Sequence, residues 1–239
     1  MENHIKGDLS TRPIFGILGG MGPLSSAQFL HTIHKACLNQ FSAEQEFPRI
    51  VMISDPIIPD RAKAIKDNNE QLIVSVFEEK INALSQLGAN EIILTCITAH
   101  LYLDKLKNST RKKLINMMKL LYEVLDLQQT ECLLLSSMAV FEHQMIKHHK
   151  VIYPVIRDVQ LLQNYILKIK LNYNADIFNH IKNLIDNMVL KYHVNSVVFA
   201  CTELHLLNDF LKNCSLVLPY KIIDPLDLVA NYIIQKYIF

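Results

Sequence analysis

Short apolar runs alternate along this chain with longer segments in which apolar residues recur every three or four positions. The short runs predict buried strands, and the longer segments predict amphipathic helices. We predict strands over 13–18, 49–54, 131–135, 150–155 and 220–225, and two more that end at Cys96 and Cys201. Helices are predicted over 25–40, 71–87, 102–125, 158–170 and 176–191, with a closing helix after residue 225. This alternation predicts parallel strand pairing with right-handed crossovers.

The stretch 90–101 returns in weaker form as 195–206. Asn, an apolar triplet, Cys, His and Leu recur at a constant offset of 105 residues, the separation of Cys96 from Cys201. In each copy the cysteine follows a short strand, and open α/β sheets place their ligand crevices at such carboxyl ends. Two thiols in equivalent positions of two similar halves indicate one site that faces both halves.

The repeat predicts an α/β fold of two pseudo-symmetric domains, each a short, mainly parallel sheet flanked by helices. We assign residues 1–12 to an N-terminal tail, 13–110 and 216–239 to the first domain, and 111–215 to the second. No Gly/Ser-rich or Pro-rich linker separates the halves. The boundary is therefore expected to be tight, and the cleft between the domains is the expected pocket.

Composition excludes several classes of function. Half of the 239 residues are apolar, a fifth are charged, and the net charge is only +1 with basic residues scattered, so nothing favours nucleic acid over a small polar substrate. The sequence contains no run of about 18 apolar residues, so no membrane span is predicted. Five dispersed cysteines without a CxxC pair argue against disulfides or zinc, and they fit a reducing cytoplasm.

Backbone freedom is concentrated in one loop, because four of the six glycines fall between Gly16 and Gly22. Pro23 suits the first turn of the following helix, and the loop presents amide groups that can hold a carboxylate. A turn that only connects the strand to the helix, without binding a ligand, explains the glycine pattern about as well. Arg61 follows a proline-stiffened loop at the end of the second strand, where its guanidinium either pairs with a carboxylate or is simply solvated.

Paired cysteines at strand ends have a specific chemical use. A helix start after each one favours the thiolate. One thiolate can remove a proton from one face of a stereocentre while the opposing thiol supplies a proton to the other face, so that the centre is inverted. That scheme needs no metal or organic cofactor. We interpret Cys37, Cys132 and Cys214 as core or incidental.

Five motifs together resemble the aspartate/glutamate racemase family, in order along nearly the whole chain. They are Gly-Ile-Leu-Gly-Gly-Met-Gly-Pro at 16–23, Ile-Pro-Asp-Arg ending at Arg61, Cys96 with Thr98-Ala99-His100, Cys201-Thr202-Glu203, and Ile-Asp-Pro at 223–225. The resemblance implies cofactor-independent racemisation of an amino acid, most often aspartate or glutamate, in a cleft between two α/β domains. It also implies that the protein is a homodimer and that its substrate is a small amino acid or dicarboxylate.

The resemblance makes Cys96 and Cys201 the two acid/base residues. The substrate contacts that it implies are Gly20, Met21, Gly22, Arg61, Thr98, Ser137, Lys170, Thr202 and Glu203. Within that set the glycine loop offers backbone contacts, the two threonines hold the carboxylate and ammonium end, and Arg61 binds the side-chain carboxylate. The family lysine is assigned to Lys170, with Lys168 as the alternative.

Three positions depart from the family pattern. Ile97 stands where the family has Asn, 136–139 lacks the glycine of a Thr-Gly-Thr-like loop, and Asn172 replaces a glycine. These changes leave two other functions open. One is a related isomerase or decarboxylase that depends on one dominant cysteine, and the other is a non-catalytic binding protein derived from a racemase. His100 and His205, each four residues after a cysteine, either face the cleft or cap and pack within the helix starts, and we favour the structural role.

Overall fold

Two parallel sheets form the centre of the protein in the computed structural model, which describes residues 12–172, 174–214 and 216–238. The first sheet has the order β2-β1-β3 and the second the order β5-β4-β6-β7. The strands are β1 (Ile14–Gly19), β2 (Arg49–Ser54), β3 (Glu91–Leu94), β4 (Cys132–Ser136), β5 (Val151–Ile152), β6 (Ser196–Ala200) and β7 (Lys221–Ile223). All pairs are parallel, which confirms the predicted α/β class.

Helices connect the strands and cover both sheets. They are α1 (Pro23–Cys37), α2 (Arg61–Lys66), α3 (Glu70–Gln86), α4 (Asn108–Arg111), α5 (Met117–Asp126), α6 (Met138–Glu142), α7 (Ile156–Leu171), α8 (Ala175–Tyr192), α9 (Leu204–Asn213) and α10 (Pro225–Ile238). Two 3-10 helices span Glu44–Glu46 and Ile97–Lys105. None of these helices, within the part of the chain that the structure describes, is long and apolar enough to cross a membrane.

A shared apolar core joins the two sheets. Along β4, Cys132 and Leu134 face a central cluster while Leu133 and Leu135 face the opposite side, as the two-residue period of a strand requires. The same central cluster contains Phe15 of β1, together with buried residues of α1, α5 and α10. The sheets therefore hold each other in place through packed side chains, as the absence of a linker predicts.

The predicted helix over 102–125 is wrong, because the chain uses part of that segment to cover the edge of β3. Ile92 donates its N–H to the Lys113 carbonyl at 2.8 Å and accepts from the Ile115 N–H at 2.8 Å. These bonds satisfy backbone groups that a helix would have left at an unpaired edge. The segment therefore divides into the 3-10 helix, α4, a bridging stretch, and α5, which Asn116 caps through its side chain.

The last strand, β7, belongs to the second sheet, whereas the domain bounds predicted from the sequence put it in the first domain. Residues 216–239 were predicted to return to the first domain, yet β7 pairs with β6, in the register Ser196 with Lys221. The chain returns to the first unit after β7, where α10 packs on α1 and α5 and its residues Val229 and Ile233 join the central core. The first unit also extends past residue 110, through the bridging stretch that pairs with β3. Of the predicted tail, only Arg12 lies within the described residues.

The glycine loop makes a tight turn between β1 and α1. Gly20 has φ +89°, and a Cβ atom there would lie 2.3 Å from backbone atoms of Asp55. Its N–H donates to Ser26 Oγ at 3.3 Å, and that hydroxyl in turn donates to the Gly22 carbonyl at 2.8 Å. Pro23 opens α1 as predicted. The turn is thus a steric requirement of the fold, whatever else the loop binds.

We expect Gly20→Ala to lower the free energy of unfolding by about 2–4 kcal/mol, measured by urea denaturation. The substitution combines a left-handed conformation, which costs about 1–2 kcal/mol, with overpacking against backbone. Gly88→Ala is the matched control, since Gly88 has φ +93° but its Cβ would meet only the Ile14 Cδ1 atom at 3.1 Å. Equal losses in the two variants would contradict the assigned backbone contact.

Candidate active site

A cavity of about 240 Å³ opens between the two sheets, at the carboxyl ends of their strands. Each half contributes one cysteine, Cys96 after β3 and Cys201 after β6. Of the residues predicted from the sequence, the cavity is lined by Met21, Arg61, Cys96, Thr98, Ser137, Lys170, Cys201, Thr202 and Glu203. The structure thus brings together nine of the eleven predicted residues in one place.

The other two predicted residues, Gly20 and Gly22, line an adjoining pocket of about 350 Å³. That pocket shares Met21, Arg61 and Lys170 with the main cavity. The glycine loop therefore borders the cavity through Met21 alone. Its two glycines shape the neighbouring space.

Cys96 directly precedes the 3-10 helix that begins at Ile97. Its sulfur lies 3.2 Å from Thr98 Oγ1, and its side chain is nearly buried, since the residue is 4 % exposed. The strand end is tied to the glycine loop by the hydroxyls of Thr95 and Ser26, which are 2.8 Å apart. Local hydrogen bonds therefore hold the position of this thiol relative to the turn.

Hydrogen bonds hold Arg61 both at its guanidinium and at its backbone carbonyl. Its Nη1 donates to the Pro59 carbonyl at 3.1 Å, and its Nη2 donates to the Met21 carbonyl at 3.2 Å. Its own carbonyl accepts from the Tyr102 hydroxyl at 2.5 Å. Nε is buried without a hydrogen-bond partner. This guanidinium is therefore rigidly held, unlike the solvated arginine that the sequence left open.

The charges around Arg61 keep it protonated. Burial lowers the pKa of the guanidinium, but the nearby groups Cys96, Asp60 and Glu203 more than offset burial, so the net shift is upward. A buried cation thus lies beside the first thiol. Because the carbonyls occupy only part of its hydrogen-bonding capacity, Arg61 can still donate to an anion in the cavity.

Cys201 lies in the opposite electrostatic setting. Its thiol donates to Glu203 Oε2 at 2.9 Å. Burial, and after it the charge and hydrogen bond of Glu203, raise the pKa of this thiol well above its ordinary value. Glu203 Oε1 in turn pairs with Lys170 Nζ at 3.2 Å. A Cβ atom at Gly22 would lie only 2.9 Å from the same oxygen, so the glycine leaves room for the carboxylate.

The structure distinguishes the two candidate lysines. Lys170 lines the cavity with its side chain 38 % exposed, whereas the ammonium of Lys168 lies 5.1 Å from the ring centroid of Tyr165, away from it. Burial lowers the pKa of Lys170, but the charges of Glu203 and Cys201 outweigh burial, so the pKa is raised. The ammonium therefore stays charged at neutral pH.

Helix α7 contributes more residues to the site than Lys170, the residue that the sequence predicts there. Gln163 and Leu167 line the cavity with Lys170, at the helical spacing of about one and two turns. Gln163 Oε1 accepts the Met138 N–H at 2.8 Å and so holds the loop that carries Ser137. Leu167 and Gln163 lie three and seven residues before Lys170, so the helical period counted back from Lys170 finds both positions. Asp60, in the Ile-Pro-Asp-Arg motif, also lines the cavity. So do Lys66 and Glu142, whose sequence positions carried no such signal.

Apolar side chains form a second part of the wall. Ile97, which is 2 % exposed, lines the cavity at the position where the related family has Asn. Met138, Val140 and Ile166 lie on the second-domain side. The cavity thus offers a mixed environment, in which charged groups can orient a ligand and apolar ones exclude water.

Both histidines of the repeat have structural contacts, as expected. His100 Nδ1 donates to the Cys96 carbonyl at 3.0 Å, and burial lowers the pKa of its ring. His205 lies outside the cavity lining, where Nδ1 donates to Asp224 Oδ2 at 2.7 Å and Nε2 contacts Thr32 Oγ1 at 2.8 Å. The side chains of His205, Asp224 and Asp227 are of the types that bind metal ions and lie close together, but they already form hydrogen bonds with side chains of this protein.

Similar proteins share this two-sheet arrangement. An aspartate racemase from Picrophilus torridus is 25% identical, with a TM-score of 0.76 over 93% of each chain. An aspartate racemase homologue from Pyrococcus horikoshii OT3 is 18% identical, with a TM-score of 0.69 over 94% of this chain and 98% of that one. A glutamate racemase isoform from Bacillus anthracis is 13% identical, with a TM-score of 0.58 over 94% of this chain and 81% of that one.

The sequence also matches the profile of the Asp/Glu/hydantoin racemases over residues 18–233. That match includes both cysteine strands, the glycine loop and the helix that carries Lys170. It covers most of the chain, and the neighbouring structures share its two-domain fold. The chain therefore belongs to the Asp/Glu/hydantoin racemase family.

Proposed function

We propose that this protein is an isomerase that racemises an acidic amino acid, aspartate or glutamate, without a cofactor. One observation carries the proposal: two buried thiols from equivalent strand ends line a single cavity together with two cations, Arg61 and Lys170. The likeness to an aspartate racemase at 25% identity supports an acidic substrate. We further propose that the enzyme acts in the cytoplasm as a homodimer.

The reaction is a two-base proton transfer. For one enantiomer, the Cys96 thiolate takes the α-proton, so that an S–H bond forms, the Cα–H bond breaks, and the electron pair moves into the α-carboxylate. The Cys201 thiol then gives its proton to the opposite face of Cα and becomes the thiolate. For the other enantiomer the two cysteines exchange roles. Protons and charge balance over each turnover, and the thiol pair is left in the reversed state.

Charged and polar groups of the cavity orient the substrate in this proposal. Thr98, Ser137 and Thr202 hold the carboxylate and ammonium end next to the thiols, and Met21 supplies the backbone contact of the glycine loop. Arg61 and Lys170 bind the side-chain carboxylate. Glu203, also implied by the resemblance, already contacts both a thiol and Lys170, and it therefore lies at the reacting end of the site.

The departures from the family pattern bear on which substrate is preferred. Ile97 offers no hydrogen bond where Asn would, so recognition depends on the remaining polar groups. No observation favours the one-cysteine isomerase or decarboxylase, or the non-catalytic binding protein. The one-cysteine enzyme predicts that activity survives the loss of one of the two thiols. The binding protein predicts no turnover at all.

We expect the wild-type protein to introduce deuterium at Cα of aspartate or glutamate in deuterated water, with loss of optical rotation. Cys96→Ala and Cys201→Ala should each lower racemisation by about 10²–10⁴-fold, because each removes one acid/base group. Each should also slow deprotonation of one enantiomer more than that of the other. Cys214→Ala, which removes an exposed thiol outside the cavity lining, is the control and should leave the rate unchanged.

Full activity in either active-site variant would rule out the two-base scheme and favour a reaction that depends on one cysteine. Absence of exchange across a panel of amino acids, combined with thermal stabilisation by one of them, would favour a binding protein.

Lys170→Met should raise KM for the acidic substrate by roughly 10–100-fold, because a charge-assisted hydrogen bond contributes about 1.5–3 kcal/mol. Lys168→Met, on the same helix but facing Tyr165, is the matched control and should leave KM unchanged. Steady-state kinetics with aspartate, glutamate and alanine measure the effect. A loss of the same size for alanine would argue against binding of the side-chain carboxylate by Lys170.

A further inference from the structure

The two thiols of the cavity have opposite electrostatic partners. Arg61 lies beside Cys96, whereas Glu203 contacts Cys201. We propose that Glu203 is a positioning residue that keeps Cys201 as the neutral thiol, so that the free enzyme rests with Cys96 as the thiolate base and Cys201 as the proton donor. The inference rests on the proposed racemase function, but it concerns the protein before any substrate binds.

The contact between Cys201 and Glu203 specifies where the proton lies. A carboxylate can only accept hydrogen bonds, so the 2.9 Å distance between Cys201 Sγ and Glu203 Oε2 requires a proton on sulfur. Lys170 Nζ lies 3.2 Å from the other oxygen of the same carboxylate and forms an ion pair with it. Loss of the thiol proton would place two negative charges in direct contact within a buried site. Gly22, which lacks a Cβ, lets the carboxylate occupy this place.

The groups around Cys96 are instead a cation and hydrogen-bond donors. The Arg61 guanidinium is held by the carbonyls of Pro59 and Met21 and cannot turn away without losing both bonds. The Thr98 hydroxyl, 3.2 Å from Cys96 Sγ, is able to donate to a thiolate. Cys96 also lies at the N-terminal end of a nine-residue 3-10 helix, where backbone dipoles favour negative charge.

Other titratable groups near the two thiols do not reverse this asymmetry. Burial raises the pKa of Tyr102 to about 12, so its hydroxyl is neutral at working pH. His100 donates to the Cys96 carbonyl, and burial lowers its pKa, so it carries no charge there. Asp60 pairs electrostatically with Arg61. On the Cys201 side, burial and then Glu203 raise the pKa of the thiol, against a smaller opposing effect of Lys170.

The asymmetry has a consequence for turnover. The resting enzyme can deprotonate at once only the enantiomer whose α-proton faces Cys96. After that turnover Cys201 is a thiolate next to Glu203, which is the disfavoured arrangement. Cys96 must lose the proton that it took and Cys201 must regain one before the same enantiomer can react again, whereas the opposite enantiomer can use the reversed state directly.

The test is the pH dependence of alkylation of each cysteine in the free protein. Wild-type protein and a Glu203→Gln variant are treated with iodoacetamide at several pH values, and the rates are read by peptide mass spectrometry. We expect Cys96 to react at least about tenfold faster than Cys201 at pH 7.5. In Glu203→Gln, the Cys201 rate should rise by about tenfold and its pH profile should move to lower pH, as a pKa change of about one unit implies.

Exposure cannot explain that result, because Cys201 is slightly more exposed than Cys96, at 7 % against 4 %. Glu142→Gln is the control, since it removes an exposed carboxylate from the rim of the same cavity and should leave the Cys201 profile in place. Exposed Cys214 reports the intrinsic reagent rate in each sample.

Equal rates at Cys96 and Cys201 in the wild-type protein would overturn the proposal, whether or not the variant folds. An unchanged Cys201 profile in folded Glu203→Gln would overturn the role of Glu203. These outcomes need no turnover, so they are distinct from a failure of the racemase proposal, which would appear as absent exchange of the α-proton.

Discussion

The apolar core shared by both sheets is the constraint on which the rest of the structure depends. Helices α1, α5 and α10 pack into the same cluster as the inner faces of β1 and β4, so neither sheet can shift without disturbing a close-packed interior. The carboxyl ends of the strands consequently face each other across a fixed gap. Two thiols that are distant in sequence thereby reach one small cavity.

Charge then gives the two ends of the cavity different chemistry. Arg61 is anchored through backbone carbonyls near Cys96, and Glu203 is clamped between Cys201 and Lys170. The fold is pseudo-symmetric in its strands and cysteines, but its charged partners are not. The proposed racemisation requires both faces of one carbon, and in that proposal an unequal pair of thiols supplies one base and one acid before the substrate arrives.

Periodicity and motifs predicted the features that local sequence controls. The strands that lead to Cys96 and Cys201 and the glycine turn before Pro23 depend on neighbouring residues, and the structure places them as expected. The sequence also put Arg61 after the stiff loop, but it did not decide between a paired and a solvated guanidinium. The choice between Lys168 and Lys170 needed the helix orientation. Both lie on one predicted helix, and only packing shows which of them faces the cavity.

The features that the sequence did not predict depend on contacts between distant segments. The break in the predicted helix over 102–125 arises because the stretch around Lys113 bonds to the edge of β3, and no local propensity encodes that edge. The place of β7 depends likewise on the free edge of β6. Gln163 was missed because its role, a hydrogen bond to the backbone of Met138, joins two segments 25 residues apart.

The most direct test of the central claim, one carbon flanked by two thiols, is a crystal structure of the protein with succinate, a dicarboxylate that has no stereocentre. The account predicts that one methylene carbon lies between the sulfurs of Cys96 and Cys201, with one sulfur on each face at about 3.5 Å. One carboxylate should contact Arg61 and Lys170. A ligand with both sulfurs on the same face, or with all its carbons distant from one of the two sulfurs, would contradict the account.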